Sequence, residues 1–441
     1  MNNRRAVLKA FEDHKEYIEK RVVEGIENYR KTNATLRIID AEGNPIAGKK
    51  VTAKQTNHEF RYGANLFMLD EFECEEKNKL YRELFAQCAN MATLPFYWRD
   101  LEPEKGKPRY AKDSPKVYRR PALDLCIEYC KEKGIEPKEH CLMYEEWYPT
   151  WLDTANLAEM KEALENRFRD LALHYANDIP GWEVTNETLY AFKECTAFYN
   201  EPDLIEWCFA CAEKYLQNNK LIINDAHCNI WNVFNWRRSA YYMQIERALL
   251  KGARIDSIGM QFHMFFPRED EAKETAVYYN PTNIYNVLDC YADFSKPIQI
   301  TEMTIPAYSC EPEDESIQAE IMKWLYSIWF SHPSVEAIMY WNLVDGYAAF
   351  APQGDMTAGE NYYHGGLLRF DMSPKPAFYT VKNLFEKEWH TEETLETDAS
   401  GNLSFNGFYG DYEIIIHVGD KTETKTLSLT KNGDKEFQMI L

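Results

Sequence analysis

Gly181-Trp182-Glu183-Val184-Thr185-Asn186-Glu187 is an apolar run of strand character that ends on a carboxylate, and Pro297-Ile298-Gln299-Ile300-Thr301-Glu302-Met303 repeats the pattern. Roughly 115 residues separate Glu187 from Glu302, which is three βα units of about 38 residues each, the spacing of strands in one (β/α)8 barrel. A carboxylate behind a buried strand is costly without a partner or a task. Two on one rim can split a sugar acetal: one protonates the departing oxygen while the other attacks the anomeric carbon, and in the retaining version they stand about 5–5.5 Å apart. Taken alone, either glutamate is an ordinary strand-end acid in a salt bridge, one of 71 acidic residues. The pair, with the amide of Asn186 beside Glu187, favours catalysis.

The surrounding chain supports a barrel. Strand candidates near 60–65, 86–93, 136–144, 180–186, 220–225, 256–263, 297–302 and 336–342 alternate with amphipathic helices at 121–133, 157–176, 204–218, 239–252 and 316–330. The predicted fold class is α/β, a (β/α)8 TIM barrel over 58–390, with its active site at the C-terminal strand ends. Residues 1–57 form an N-terminal segment. Val7, Leu8, Phe11, Tyr17, Ile18, Val22, Val23 and Ile26 fall at helical spacing, and Thr35–Asp40 and Lys50–Lys54 flank the turn Glu42-Gly43-Asn44-Pro45 as a β-hairpin. Residues 391–441 change to short alternating strands at 403–405, 412–418 and 424–429, punctuated by Gly401, Gly407, Gly410, Gly419 and Gly433. They predict a small β-sandwich-like module, at the lower edge of independent stability, whose core the hairpin or the barrel completes.

Fifty Lys and Arg against 71 Asp and Glu give a formal charge of −21 in 441 residues. That balance repels phosphate backbones and anionic surfaces, so neither nucleic acid nor membrane is an expected partner. No apolar run approaches the about 20 residues that span a bilayer. Charges interrupt the segment after Arg4 and Arg5 every few positions, so no secretory signal is read and a cytoplasmic location is expected. Eleven cysteines, an odd number, read as reduced core thiols, and the C-x-x-C pair Cys208 and Cys211 as helix packing rather than a zinc or redox site. Aromatic residues make up 14%, with 11 Trp and 29 Tyr, enough for stacking sugar faces. The chemistry of two carboxylates calls for no metal and no organic cofactor, and the oligomeric state is left open.

Gln261 and His263 stand two apart in Ser257-Ile258-Gly259-Met260-Gln261-Phe262-His263 and so share one side of a strand, within reach of Glu302 or a sugar hydroxyl. Together with Trp182 to Glu187, Ile300-Thr301-Glu302 and Leu221-Ile222-Ile223-Asn224-Asp225, this run resembles the strand-end motifs of glycoside hydrolase family 10, the xylanase family of retaining (β/α)8 barrels. Further matches are Phe60-Arg61-Tyr62-Gly63-Ala64, His140 with Pro149-Thr150-Trp151, Trp341, and the closing stretch Leu367 to Tyr379 with Asp371 and Pro374-Lys375-Pro376-Ala377. The resemblance covers roughly residues 58–388. It implies Glu187 as acid/base, Glu302 as nucleophile and Asn186 on the sugar 2-hydroxyl, with His140, Gln261, His263 and Trp341 lining the subsite of the attacked ring. Tyr144, standing where the family has Trp, joins the substrate-binding residues.

The chain departs from the family where the second strand carries an acidic residue, an Asn and a Lys that grip xylose: here it reads Thr93-Leu94-Pro95-Phe96-Tyr97-Trp98. Glu145 replaces a second His, Thr304 an Asp two residues past the nucleophile, and Ala226 an aromatic. The resemblance therefore implies a retaining, endo-1,4-β-xylanase-like glycoside hydrolase acting on β-linked xylan-type oligo- or polysaccharides by double displacement. The alternatives are a β-glycosidase for another β-linked sugar and a catalytically silent carbohydrate-binding barrel.

Overall fold

Parallel strands of a barrel are covered on both faces, and the barrel strands of this chain are buried along nearly their whole length. The computed structural model describes residues 4–189, 196–419 and 421–441. Strands one to eight of the barrel are Arg61–Asn65, Met91–Pro95, Glu136–His140, Gly181–Asn186, Lys220–Asp225, Ser257–His263, Ile298–Thr304 and Val335–Tyr340. Each pairs in parallel with the next, and strand eight closes on strand one. The two-residue strand Met143–Tyr144 continues the third strand's path and lies beside Thr185 and Asn186. Strand two begins later than the predicted 86–93, because the helix Glu75–Gln87 runs up to it. The five expected helices are present as Leu123–Lys133, Leu157–Tyr175, Leu204–Tyr215, Ala240–Leu250 and Pro312–Ser331.

The chain divides into two compact units, one of Met1–His14, Tyr62–Trp324 and Ser334–Phe378, the other of Lys15–Arg61, Leu325–Pro333 and Tyr379–Leu441. The expected single N-terminal helix is two helices, Lys9–Asp13 and Lys15–Tyr29, parted at His14, whose backbone leaves the helical region. In the second unit, Lys31–Ile39 lies between Asn402–Phe408 and Glu436–Ile440 in a three-stranded sheet. Lys50–His58 lies between Glu392–Glu396 and Gly410–Val418 in a four-stranded sheet completed by Lys421–Leu429. The hairpin expected over 35–54 is therefore not formed, and a single bridge from Ile39 to Pro45 is what remains of it. Period-two alternation tells which face of a strand is buried, not which strand lies beside it. Ala34, Leu36 and Ile38 meet Val51, Ala53, Ile414 and Ile416 in one core, each sheet contributing a face.

Cys208 and Cys211 are buried on the helix Leu204–Tyr215, and the described cysteines are free thiols. No helix among the described residues is long and apolar enough to cross a membrane.

Strands five, six and seven crowd at Gly259. A Cβ there would stand 2.6 Å from Asn224 Oδ1, 2.9 Å from Ile223 O and 2.9 Å from Thr301 Cγ2. Gly259→Ala should therefore destabilise the barrel by about 1–3 kcal/mol, the usual range for overpacking. Denaturant unfolding checks this, and an unchanged midpoint would mean that the strands yield without cost.

Candidate active site

Strand four delivers Asn186 and then turns. Glu187 has a φ of 53°, and its N–H donates to Asn224 O at 3.2 Å. A non-glycine residue in this left-handed region costs on the order of 1 kcal/mol, and such positions cluster at functional sites. Glu302 lies within strand seven, where the register slips between Ile300 and Glu302 against strand six and between Ile300 and Met303 against strand eight. A slip of this kind re-aims a side chain. Both carboxyl groups line the same cleft.

One nitrogen joins them. Gln261 Nε2 donates to Glu187 Oε1 at 2.8 Å and to Glu302 Oε1 at 3.2 Å. These oxygens thus stand no more than about 6 Å apart, on the retaining side of the divide between about 5.5 and 6.5 Å. Glu187 Oε2 accepts from the Tyr144 hydroxyl at 2.7 Å. Glu302 accepts from Asn224 Nδ2 at 3.2 Å and from His263 Nε2 at 3.1 Å. The Thr301 hydroxyl donates to Asn224 Oδ1 at 2.6 Å, which turns the Asn224 amide nitrogen toward Glu302 and toward Asn186 Oδ1 at 2.8 Å. His263 uses its other nitrogen on Thr304 Oγ1, 3.1 Å away.

Burial, and after it the charge of Glu302, pushes Glu187 from the ordinary carboxylate range up to about 7, against the pull of the Gln261 and Tyr144 donors. Deeper in the barrel Glu183 is fully buried, which alone would raise it. The adjoining Lys138 and His140 hold it below the ordinary range instead. Glu183 pairs with Lys138 Nζ and takes His140 Nδ1 at 2.5 Å, while the Tyr97 hydroxyl meets His140 Nε2 at 3.0 Å. The carboxylate can only accept, so Nδ1 carries a proton.

The cleft holds about 190 Å³ and brings together all eight sequence-predicted residues: Glu187, Glu302, Asn186, His140, Gln261, His263, Trp341 and Tyr144. Its wall is aromatic: Trp341 lies 5.2 Å from Phe67, 5.7 Å from His140 and 5.8 Å from His263, between ring centroids. Sequence reasoning did not find Arg119, Arg120, His227 or Glu360, which also line it. His227 packs 6.1 Å from His263, and burial takes it down to about 3. Adjacent arginines in an acidic chain were a visible signal, but Glu360 lies in a loop without pattern. Among the described residues the grouping spaced to ligate a metal is His140, Glu183 and Glu302. The Lys138 ammonium on Glu183 opposes a cation there.

A closed (β/α)8 barrel with two bridged glutamates on its C-terminal rim defines a glycosidase-type barrel. The chain belongs to glycosyl hydrolase family 10, whose family model matches residues 73–384. Among curated relatives it is 26% identical over 423 residues to the anti-sigma-I factor RsgI6 of Acetivibrio thermocellus, covering 93% of this chain and 48% of that one. It is 23% identical to endo-1,4-beta-xylanase 1 of Arabidopsis thaliana, covering 92% of this chain and 39% of that one. It thus spans less than half the length of either. The structure of xylanase 10B from Thermotoga petrophila, in complex with xylobiose, matches with a TM-score of 0.58 at 22% identity, over 75% of this chain and 95% of that one.

Glu187 is raised on folding, so the folded state keeps its proton where the unfolded chain has lost it. Ionising it costs stability, and the cost grows as pH rises from about 4.5 to about 7 and persists above. Glu187→Gln should raise stability at about pH 8 by roughly 2–3 kcal/mol and give no such gain at about pH 4. Denaturation of both proteins at the two pH values is the test. An equal gain at both would show that ionisation plays no part.

Proposed function

We propose that this chain is a retaining glycoside hydrolase that cleaves β-1,4-linked xylan-type oligo- or polysaccharides, with Glu302 as nucleophile and Glu187 as acid/base. The observation that carries the reading is the pair of buried carboxyls sharing Gln261 Nε2, one of them raised to about 7. An acid that holds its proton near neutral pH, beside a partner held by three donors, has the division of labour that double displacement needs.

In the first step Glu302 attacks the anomeric carbon and the bond to the leaving oxygen breaks, while Glu187 gives that oxygen its proton. A glycosyl-enzyme ester remains on Glu302. Water then enters, Glu187 takes its proton, and the hydroxide attacks the same carbon and frees Glu302. Two inversions restore the original configuration. Asn186 is assigned to the sugar 2-hydroxyl, His140, Gln261 and His263 to the ring under attack, Trp341 to its apolar face, and Tyr144 to Glu187 and the substrate.

The xylan-type substrate rests on the family and on relatives bearing the xylanase name. Phe96, Tyr97 and Trp98, just past the end of strand two, favour a second reading, the same chemistry on another β-linked sugar. Thr304 beside His263, where the family resemblance implies an acid, favours a third, a barrel that binds sugar without turnover.

Release of aryl alcohol from a panel of aryl β-glycosides, led by β-xyloside and β-xylobioside, separates these readings. Turnover with retention of configuration is expected, and Glu302→Ala should abolish it. Turnover on another glycoside alone would reassign the sugar, and tight binding without turnover would leave the sugar-binding barrel. Because Glu187 must be protonated in the first step, kcat/KM should fall as pH rises through about 7. A profile flat from about pH 6 to 9 would contradict the assignment of Glu187.

A further inference from the structure

Strand two lacks the acidic residue, amide and cation with which the family resemblance implies that xylose is gripped. The same three chemistries stand together elsewhere on the rim. Arg119 comes from the loop after strand two, Asn342 from just past strand eight and Glu360 from the turn Gly359–Tyr363. Arg119 and Glu360 line the catalytic cleft, and Asn342 and Glu360 line the small recess beside it.

The three are wired in series. Arg119 Nη2 donates to Asn342 Oδ1 at 2.7 Å, Asn65 Nδ2 reaches the same oxygen at 3.3 Å, and Asn342 Nδ2 donates to Glu360 Oε2 at 2.7 Å. Arg119 Nη1 is tied to the carbonyl of Tyr347. Both Arg119 and Asn342 hold left-handed backbone, φ 63° and 65°, so the set stands on two costly conformations. Two groups are left over. Arg119 is 3% exposed and its Nε has no hydrogen-bond partner, while Glu360 Oε1 has none among the described residues. A buried guanidinium N–H left unpaired is expensive, so Arg119 is held here at a cost.

We propose that Arg119, Asn342 and Glu360 form a relocated sugar grip, in which the Arg119 guanidinium that lines the cleft donates to one hydroxyl and Glu360 accepts from another of a single xylose unit. A sugar hydroxyl both donates and accepts, so a cation N–H and a carboxylate oxygen held by one amide match a pair of neighbouring hydroxyls. Barrel order says which unit. Strands seven, eight and one are neighbours, so Asn342 and Glu360 flank the side of Glu302, whereas strand four with Glu187 lies across the barrel. Glu187 protonates the leaving oxygen, so the leaving chain departs past Glu187 and the retained chain runs toward Glu302 and strand eight. The grip therefore holds the retained sugar next to the one under attack. Arg120 does not fill this role, because its Nε is paired with Asp100 at 2.9 Å and its guanidinium lies over Tyr97 at 4.0 Å.

The assignment rests on the glycosidase reading, so its test has one arm that needs no turnover. Glu360→Gln keeps the Asn342 contact but loses the charge, and Arg119→Met removes the guanidinium together with its ties to Asn342 and Tyr347. With the first arm, kcat/KM is measured on aryl β-xyloside, which fills one retained position, and on aryl β-xylobioside, which fills two. Each variant should lose at least about ten-fold more on the second substrate than on the first, the scale of one charge-assisted hydrogen bond. Equal losses on both, or none, would overturn the grip. The second arm is calorimetric titration of xylobiose and xylotriose into each protein, with unfolding midpoints to confirm folding. Weaker binding in both variants is expected, and unaltered binding overturns the proposal even if the wild type hydrolyses nothing. A wild type that binds but does not turn over removes the glycosidase reading and leaves the grip standing or falling on its own binding data. Should Arg119→Met fail to fold, Glu360→Gln alone decides.

Discussion

Two carboxyl groups leaning on one amide nitrogen is the contact around which this barrel is arranged. Unit charges about 6 Å apart repel by about 3 kcal/mol at an effective dielectric of about 20, and burial adds to that cost. The chain answers in two ways. Glu187 is driven up to about 7, so near neutral pH one of the pair is largely uncharged. Glu302 is surrounded by the Asn224 and Gln261 amides and His263. Those amides are useful only if their nitrogens face inward, and Thr301 fixes the orientation of Asn224. Gly259 is part of the same solution, since any side chain there would meet Asn224 Oδ1 at 2.6 Å.

A second buried charge system underlies the first. Glu183 on strand four would be an orphan in the barrel interior without Lys138 and His140, both from strand three. Buried ion pairs seldom add much net stability, but losing one partner strands the other. Here the pair also has a positional effect. It fixes the tilt of His140, which then presents its ring edge-on to Trp341 and meets the Tyr97 hydroxyl. The wall of the cleft thus inherits its geometry from charges that no solvent touches.

Much of this was legible in the sequence because it is carried by strands. A buried strand end fixes direction and spacing, so Glu187, Asn186, Gln261, His263 and Glu302 could be assigned to one rim from periodicity and distance along the chain. The β-module was less legible. Alternation at 34–38 and 51–53 announced two buried faces, yet those faces belong to opposite sheets, and nothing local in a strand names its partner. Strand two slid because an apolar run after a helix does not show where the helix stops. The order of strands from 402 to 440 is likewise a matter of long-range pairing, with Glu436–Ile440 lying parallel to Lys31–Ile39.

Arg119, Asn342 and Glu360 were missed for a different reason, and it bears on how such a rim diverges. The glutamates and amides at the catalytic centre are held by strands that also close the barrel, so moving any one of them disturbs the whole sheet. The loops after strands two and eight carry no such duty. Their residues can exchange roles provided an acid, an amide and a cation still converge, and here two left-handed backbone positions and the Tyr347 carbonyl bring that about. Chemistry fixed by strands therefore remains readable in a single sequence. Sugar recognition placed on loops becomes readable only once the chain is folded, when Arg119 and Glu360 are seen lining the same cleft.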